Sequence, residues 1–146
     1  MPLATVLPCV DVLLAGWEFA GSETVNGTFR FWLDSDRAGF RAVEVALVSE
    51  CDVSEAVQVT PGVDEARTRR FEEPLSLEPA FAENRFYTFP GGCVRVRYRF
   101  GVSESTLVLG ADQAIGFRPR QVIVDRIADL GLVLCGAGAP ECPGGE

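Results

Sequence analysis

The sequence predicts an α+β domain, in which an antiparallel sheet of five or six strands is followed by one or two C-terminal helices packed on one face. Three observations lead to this prediction. Apolar and polar residues alternate over much of the first hundred positions, which is typical of half-buried strands. Turn-forming glycine, asparagine and proline separate the alternating runs. After Gly101 the spacing of apolar residues changes towards that of a helix.

The length of 146 residues suits one domain, and 47% of the residues are hydrophobic. A domain of this size buries about 70% of the surface of its unfolded chain, so it needs no metal or disulfide to form a core. We predict a single domain over residues 1–135 and a flexible glycine- and proline-rich tail over residues 136–146.

The first predicted strands form a hairpin. They lie at residues 17–20 and 28–33, and the segment between them ends in Asn26 and Gly27, a strong turn-forming pair. A turn over residues 34–39 leads into a strand at residues 40–49. β-Branched residues at every second position favour a strand over a helix there.

The middle of the chain, residues 51–84, is polar and interrupted by three prolines. It therefore predicts only one or two short edge strands, near residues 57–60 and 68–72. Strands at residues 86–89 and 93–100 follow. The last of these is the clearest, because apolar side chains lie on one face and three arginines lie on the other.

Two helices are candidates after this strand. Ser103 is typical of a helix cap, although residues 107–110 could equally form a strand. A second helix is predicted from Pro119 to Gly131. The apolar residues that share one stripe of this helix are Ile123, Ile127 and Leu130.

The composition excludes several kinds of chemistry. The chain has no histidine, and all 13 basic residues are arginine. The composition therefore excludes catalysis by His-containing triads, zinc bound by histidine, Schiff-base lysines and the lysine of a phosphate-binding loop. A net charge of -8 argues against nucleic acid as a partner. We expect no cofactor and no metal, and the oligomeric state stays open.

The five cysteines contain no Cys-x-x-Cys pair, which argues against a metal site. Cys51 ends one alternating run and Cys93 begins another, so a disulfide can join two strand ends. Cys135 and Cys142 flank a short loop that can close on itself. The alternative is that all five are reduced. We predict the disulfides Cys51–Cys93 and Cys135–Cys142, with Cys9 as a free thiol.

The N-terminal segment does not resemble an export signal. The first 29 residues contain no Lys or Arg, and the apolar run over residues 3–16 is broken by Pro8 and Asp11. Either the protein is cytosolic, or the chain is a domain of a longer protein with an upstream signal or anchor. The cysteines favour the second alternative, so we expect an extracytoplasmic location in the cell envelope.

The segment Phe-Tyr-Thr-Phe-Pro-Gly-Gly-Cys-Val at residues 86–94 resembles a group of uncharacterised actinobacterial envelope proteins. The resemblance covers most of residues 9–130. It implies an N-terminal membrane helix followed by one outer domain, so that contact with the membrane is made only through an anchor absent from this chain. The resemblance does not identify any catalytic residue. Supporting stretches lie at residues 16–22, 35–39, 41–45 and 117–120.

Arg95, Arg97 and Arg99 are the candidate ligand-binding residues. They project from one side of a strand, about 6.6–6.8 Å apart. Arginine forks match the oxygens of a phosphate, a lipid headgroup or a polyanionic envelope polymer. The alternative is a solvated sheet face, where each arginine pairs across strands with an acid such as Glu44. We expect at least two of the three to be paired in this way.

Two functions from different classes follow. The first is a non-catalytic extracytoplasmic interaction domain of a membrane-anchored envelope protein, which binds a neighbouring protein or an envelope component. The alternative is a small hydrolase that uses paired carboxylates without His or Lys. The absence of a nucleophile motif favours the first. The acids available to the second are Glu72, Glu73, Asp34, Asp36 and Asp125.

Overall fold

The computed structural model describes residues 4–62, 68–122 and 125. This part of the chain forms two antiparallel sheets and a short helix. The elements are β1 (Val6–Val10), β2 (Trp17–Val25), β3 (Thr28–Ser35), β4 (Gly39–Val48), β5 (Val57–Val59), β6 (Arg69–Ser76), β7 (Ala82–Phe89), β8 (Gly92–Arg99), α1 (Val108–Ala114) and β9 (Ile115–Pro119). The larger sheet has seven strands in the order β2-β3-β4-β8-β7-β6-β5, and β1 pairs with β9 in the smaller.

The predicted α+β class is wrong, because the described residues are mostly β-strand. The seven-stranded sheet exceeds the five or six strands expected, and Ile115–Pro119 forms a further strand just before the predicted helix. Its partner is β1, with Val6 opposite Pro119. This pairing joins segments more than a hundred residues apart, so no local pattern revealed it. Residues 120–122 and 125 are helical, and the rest of the helix expected at 119–131 lies outside the described residues.

The predicted hairpin is present, with a longer first strand. β2 continues to Val25, through most of the segment that we expected to be a loop. Asn26 and Gly27 then make the turn with φ values of 51° and 77°. Positive φ at both central residues suits the right-handed twist of paired strands, and Asn followed by Gly tolerates it best.

The seven-stranded sheet buries one of its faces, which we call the inner face. Its apolar side chains from β3, β4 and β8 pack against β1, α1 and β9 in a single hydrophobic core. Phe117 of β9 lies on Tyr87 of β7, with ring centroids 4.6 Å apart. The largest side chains that are fully buried are Tyr98, Phe31, Leu33, Val43, Val45, Val94 and Val96.

A polar cluster fixes α1 on the inner face. The Asp112 carboxylate of α1 accepts hydrogen bonds from Tyr98 Oη at 2.7 Å and from Arg85 Nη1 at 2.8 Å. Arg85 Nε donates to Glu83 at 2.7 Å. Burial acts to lower the pKa of Arg85, but the oxygens of Tyr98 and Asp112 outweigh it and raise that pKa above its ordinary value. Burial, with a smaller contribution from Asp112, raises the pKa of Tyr98 well above its usual value. This arginine is fully compensated by neighbouring acids.

Helix α1 lies so close to Trp17 that residue 110 must be glycine. A Cβ atom at Gly110 would lie 2.6 Å from Trp17 Nε1, a distance that side-chain atoms do not tolerate. Glycine at this position lets the helix lie directly on the indole.

The predicted disulfide Cys51–Cys93 is confirmed. It connects the segment after β4 to the start of β8, where Val48 and Cys93 are paired across the two strands. Cys9 donates from Sγ to the Gly116 carbonyl at 3.5 Å. The predicted bridge between Cys135 and Cys142, and the tail at residues 136–146, lie outside the described residues.

We predict that Cys51→Ala combined with Cys93→Ala lowers the free energy of unfolding. The bridge spans a sequence separation of 42 residues, and closing such a loop is worth about 4 kcal/mol in the chain-entropy model. Denaturant unfolding of both proteins measures the difference, and mass spectrometry of the non-reduced digest should show the two peptides joined. Equal stability of the two proteins would show that the bridge does not constrain the unfolded chain.

We also predict that Asp112→Ala destabilises the fold by about 2–4 kcal/mol, because it leaves the buried Arg85 and Tyr98 without their shared acceptor. Glu104→Ala is the matched control. Glu104 pairs with the exposed Arg37, so its loss should cost less than about 1 kcal/mol. Chemical denaturation compares the two variants. If they were equally stable, the polar cluster would not hold α1 in place.

Candidate anion-binding face

The second face of the large sheet carries the three predicted arginines. We call it the outer face and define it by Arg30 and Trp32 of β3, Glu44 of β4, and Arg95, Arg97 and Arg99 of β8. The register places Glu44 opposite both Trp32 and Arg97, and Ala46 opposite both Arg30 and Arg95. Side chains on one face alternate along each strand, so this register gathers the arginines of two strands around one acid.

Glu44 is shared by four groups. Its Oε1 accepts a hydrogen bond from Arg95 Nη2 at 3.4 Å and lies 3.8 Å from Arg97 Nη1. Its Oε2 accepts from Trp32 Nε1 at 3.2 Å and lies 4.0 Å from Arg30 Nη1. Two of the predicted arginines therefore contact an acid, but it is the same acid. One carboxylate lies within 4.0 Å of three guanidinium groups, and Arg30 lies closer to a second acid, Glu23.

Other acids compensate this cluster little. Arg30 Nε lies 3.3 Å from Glu23 at the edge of the face. The Nε atoms of Arg95 and Arg97 are buried and have no hydrogen-bond acceptor among the described residues. Burial lowers the pKa of Arg95, and the neighbouring charge of Arg97 lowers it further, whereas Glu44 acts in the opposite direction. Glu44 therefore does not restore the ordinary pKa of Arg95 against burial and the charge of Arg97.

Arg99 is held in place by neutral groups alone. Its Nη1 donates to the carbonyls of Tyr98 at 2.8 Å and Glu83 at 3.3 Å, and its Nη2 donates to Asn84 Oδ1 at 2.9 Å. No carboxylate contacts it within the described part of the chain. Burial, and then the charge of Arg97, lowers its pKa. Arg99 is thus oriented without being neutralised.

A further arginine on this side of the sheet was not found by sequence reasoning. Arg41 has a φ of 47°, which is uncommon for a residue other than glycine. Asp34 Oδ1 accepts the backbone N–H of Arg41 at 2.7 Å and holds this conformation. The guanidinium lies 4.1 Å from the centre of the Trp32 ring, as a cation–π contact. The sequence carries no signal for this, because the alternation alone places residue 41 on the other side of β4.

The candidate acids of the hydrolase alternative do not all lie together, although two of them share a cleft. Glu72 lies 3.5 Å from Arg70, whereas Glu73 accepts a hydrogen bond from Asn84 Nδ2 at 2.7 Å on the opposite side of β6. Asp125 accepts from Gln121 within the same helical segment. Asp34 and Asp36 line an open cleft of about 520 Å³ together with Glu18. In this cleft Asp34 already binds the backbone of the β3–β4 turn.

Residues 4–62, 68–122 and 125 contain no group of three or more His, Cys, Asp or Glu side chains that could hold a metal ion. None of the helices described there is long and apolar enough to cross a bilayer.

Comparison with protein-family models, curated proteins and solved structures found no match to this chain. The resemblance of residues 86–94 to envelope proteins therefore stays a prediction. The sheet and its arginines are the basis for any functional proposal.

We predict that Glu44→Gln lowers the free energy of unfolding by about 2 kcal/mol, because Arg30, Arg95 and Arg97 lose the charge that they share. Sulfate should recover more of this loss than chloride does at equal ionic strength, since a divalent oxyanion can take the place of the carboxylate. Thermal and chemical unfolding measure both effects. Glu104→Gln is the control, with an expected cost below about 1 kcal/mol. A Glu44→Gln protein of unchanged stability would contradict this account of the cluster.

Proposed function

We propose that this chain is a non-catalytic interaction domain of an extracytoplasmic, membrane-anchored envelope protein. Its outer face would bind an anionic group of a neighbouring protein or of an envelope component. The proposal depends on one observation above all. Three guanidinium groups share the single carboxylate of Glu44, and a fourth, that of Arg99, contacts no acid in the described structure.

The charge of the whole chain makes this surface distinctive. A protein of net charge -8 would ordinarily repel anions. A local excess of arginine nevertheless creates a site that attracts them at short range, because the interaction is screened beyond about 10 Å at moderate salt. An anion that replaces water over these side chains would offset the burial and the repulsion from Arg97 that lower the pKa of Arg95 and Arg99.

The residue types on this side of the sheet also suit binding. Arginine and tryptophan contribute much of the energy in protein interfaces. Here Trp32 is 8% exposed, and the Arg41 guanidinium lies over its ring. Arg97 is the most accessible guanidinium of those around Glu44, with 41% of its side chain exposed. A partner would therefore meet charged groups that rest on a rigid apolar base.

The disulfide supports the compartment. Disulfides persist in oxidising environments and are rare in the cytosol, so Cys51–Cys93 indicates an extracytoplasmic location. The cell envelope and the upstream anchor are the finer parts of the proposal. These finer parts rest on the sequence resemblance. Fractionation of cells that express the protein from its natural gene tests them.

Binding of polyanions tests the function. Isothermal titration with poly-L-glutamate and with polyphosphate at low salt should show binding that weakens as salt rises. Arg97→Glu should weaken it by about tenfold or more, a change of about 1.4 kcal/mol in binding free energy. The variant should cost less than about 1 kcal/mol in stability, because 41% of the Arg97 side chain is exposed.

Arg37→Glu is the matched control, since it makes the same change in net charge at an exposed arginine that pairs with Glu104 on a turn. We expect it to bind polyanions nearly as well as the wild type. Equal loss in the two variants would mean that only net charge matters. A wild-type protein that bound neither polyanion would refute the proposed function.

A further inference from the structure

A cleft adjoins the arginine row at one end of the outer face. It has a volume of about 510 Å³ and lies between the start of β4, the β6–β7 connection and the end of β8. Among the described residues that line it, Arg99 alone carries a charge, and Ser76 adds a hydroxyl. The walls are otherwise apolar. Phe40, Phe81 and Phe100 supply the aromatic rings.

Phe40 is an unusual wall for such a cleft. It is 78% exposed, more than any other large hydrophobic residue in the described structure. Phe81 and Phe100 are nearly buried, and their ring centroids lie 5.2 Å apart. An apolar group placed between Phe40 and this pair would cover surface that is now in contact with water.

Arg99 retains donors for a ligand. Its guanidinium carries five N–H groups, and three of them bind Tyr98, Glu83 and Asn84. The Nε–H and one Nη2–H have no acceptor among the residues that the structure describes. A carboxylate could accept both, which is the strongest arrangement available to arginine.

The spacing of the arginines indicates the form of the ligand. Arg95, Arg97 and Arg99 follow each other at every second position of β8, which places them about 6.6–6.8 Å apart. An extended peptide repeats at the same distance, so carboxylates at every second residue would meet successive arginines. The row leads directly to the cleft, because Arg99 belongs to both.

We propose that the outer face binds an extended acidic segment of a partner protein, with acids at alternate positions over Arg95, Arg97 and Arg99 and an apolar side chain in the cleft beside Phe40. This inference rests on the proposed function and names the chemistry of its partner. An inorganic polyanion would leave the cleft empty. An anionic membrane would meet a chain of net charge -8, and the open cleft does not enclose an acyl chain.

Synthetic peptides test the proposal by fluorescence anisotropy with the whole chain. The reference peptide is Glu-Ser-Glu-Ser-Glu-Ser-Phe, made also in the reverse order because the direction of binding is open. One comparison peptide has the same composition with its three acids adjacent, and another has Ser in place of Phe. We expect the better-binding order of the reference peptide to bind about tenfold more tightly than either comparison peptide. The peptide with adjacent acids cannot place one acid on each arginine, and the peptide without Phe loses the burial of an aromatic side chain.

Two protein variants locate the apolar contact. Phe40→Ala should weaken the reference peptide about tenfold and leave the peptide without Phe unchanged. Leu109→Ala is the control, because Leu109 is 64% exposed on α1 and does not line the cleft. It should bind all peptides as the wild type does. Both side chains are largely exposed, so both variants should fold.

The outcomes separate this inference from the proposed function. Equal binding of the alternating and adjacent peptides would overturn the inference and leave a general polyanion site in place. Tighter binding of polyphosphate than of the reference peptide, at equal charge, would also overturn the inference. Binding to phosphatidylglycerol vesicles that the reference peptide does not displace would overturn it too. Binding of neither peptide nor polyphosphate would refute the proposed function itself.

Discussion

The register between β4 and β8 is the constraint on which the rest of this structure depends. Val45 lies opposite Val96 on the inner face, and Glu44 lies opposite Arg97 on the outer face. A shift of one residue would turn every one of these side chains to the other side of the sheet. Burial of valines on the inner face and the Cys51–Cys93 bridge at the end of the pair both oppose such a shift.

This register forces arginines of two strands together over a single acid. The same protein shows how a fully compensated arginine is built, since Arg85 binds both Glu83 and Asp112. Arg95 and Arg97 share Glu44 at longer distances instead. Uncompensated charge does not stabilise a fold, and perturbed charged groups concentrate at functional sites. The contrast within one sheet is the physical reason to propose a binding surface on the outer face.

Local patterns predicted the central strands well because alternation is a property of the strand itself. The strand expected at 40–49 is β4 and that at 93–100 is β8, each within one residue at either end. The smaller sheet was missed because β1 and β9 are short and acquire their partners only through the fold. Pro8 lies within β1, which has a single neighbour in its sheet and therefore tolerates a residue without an N–H.

The sequence by itself determined that chemistry based on histidine or lysine is excluded, that Arg95, Arg97 and Arg99 share a face, and that Cys51 follows one strand and Cys93 lies at the start of another. Only the tertiary structure decided that Arg30 joins them around Glu44, that Arg41 stacks on Trp32, and that a cleft opens beside Arg99. The physical reason is the same in each case. Periodicity along one strand indicates which side of the sheet a residue faces. The neighbours of that residue on the same side come from strands that are distant in the sequence.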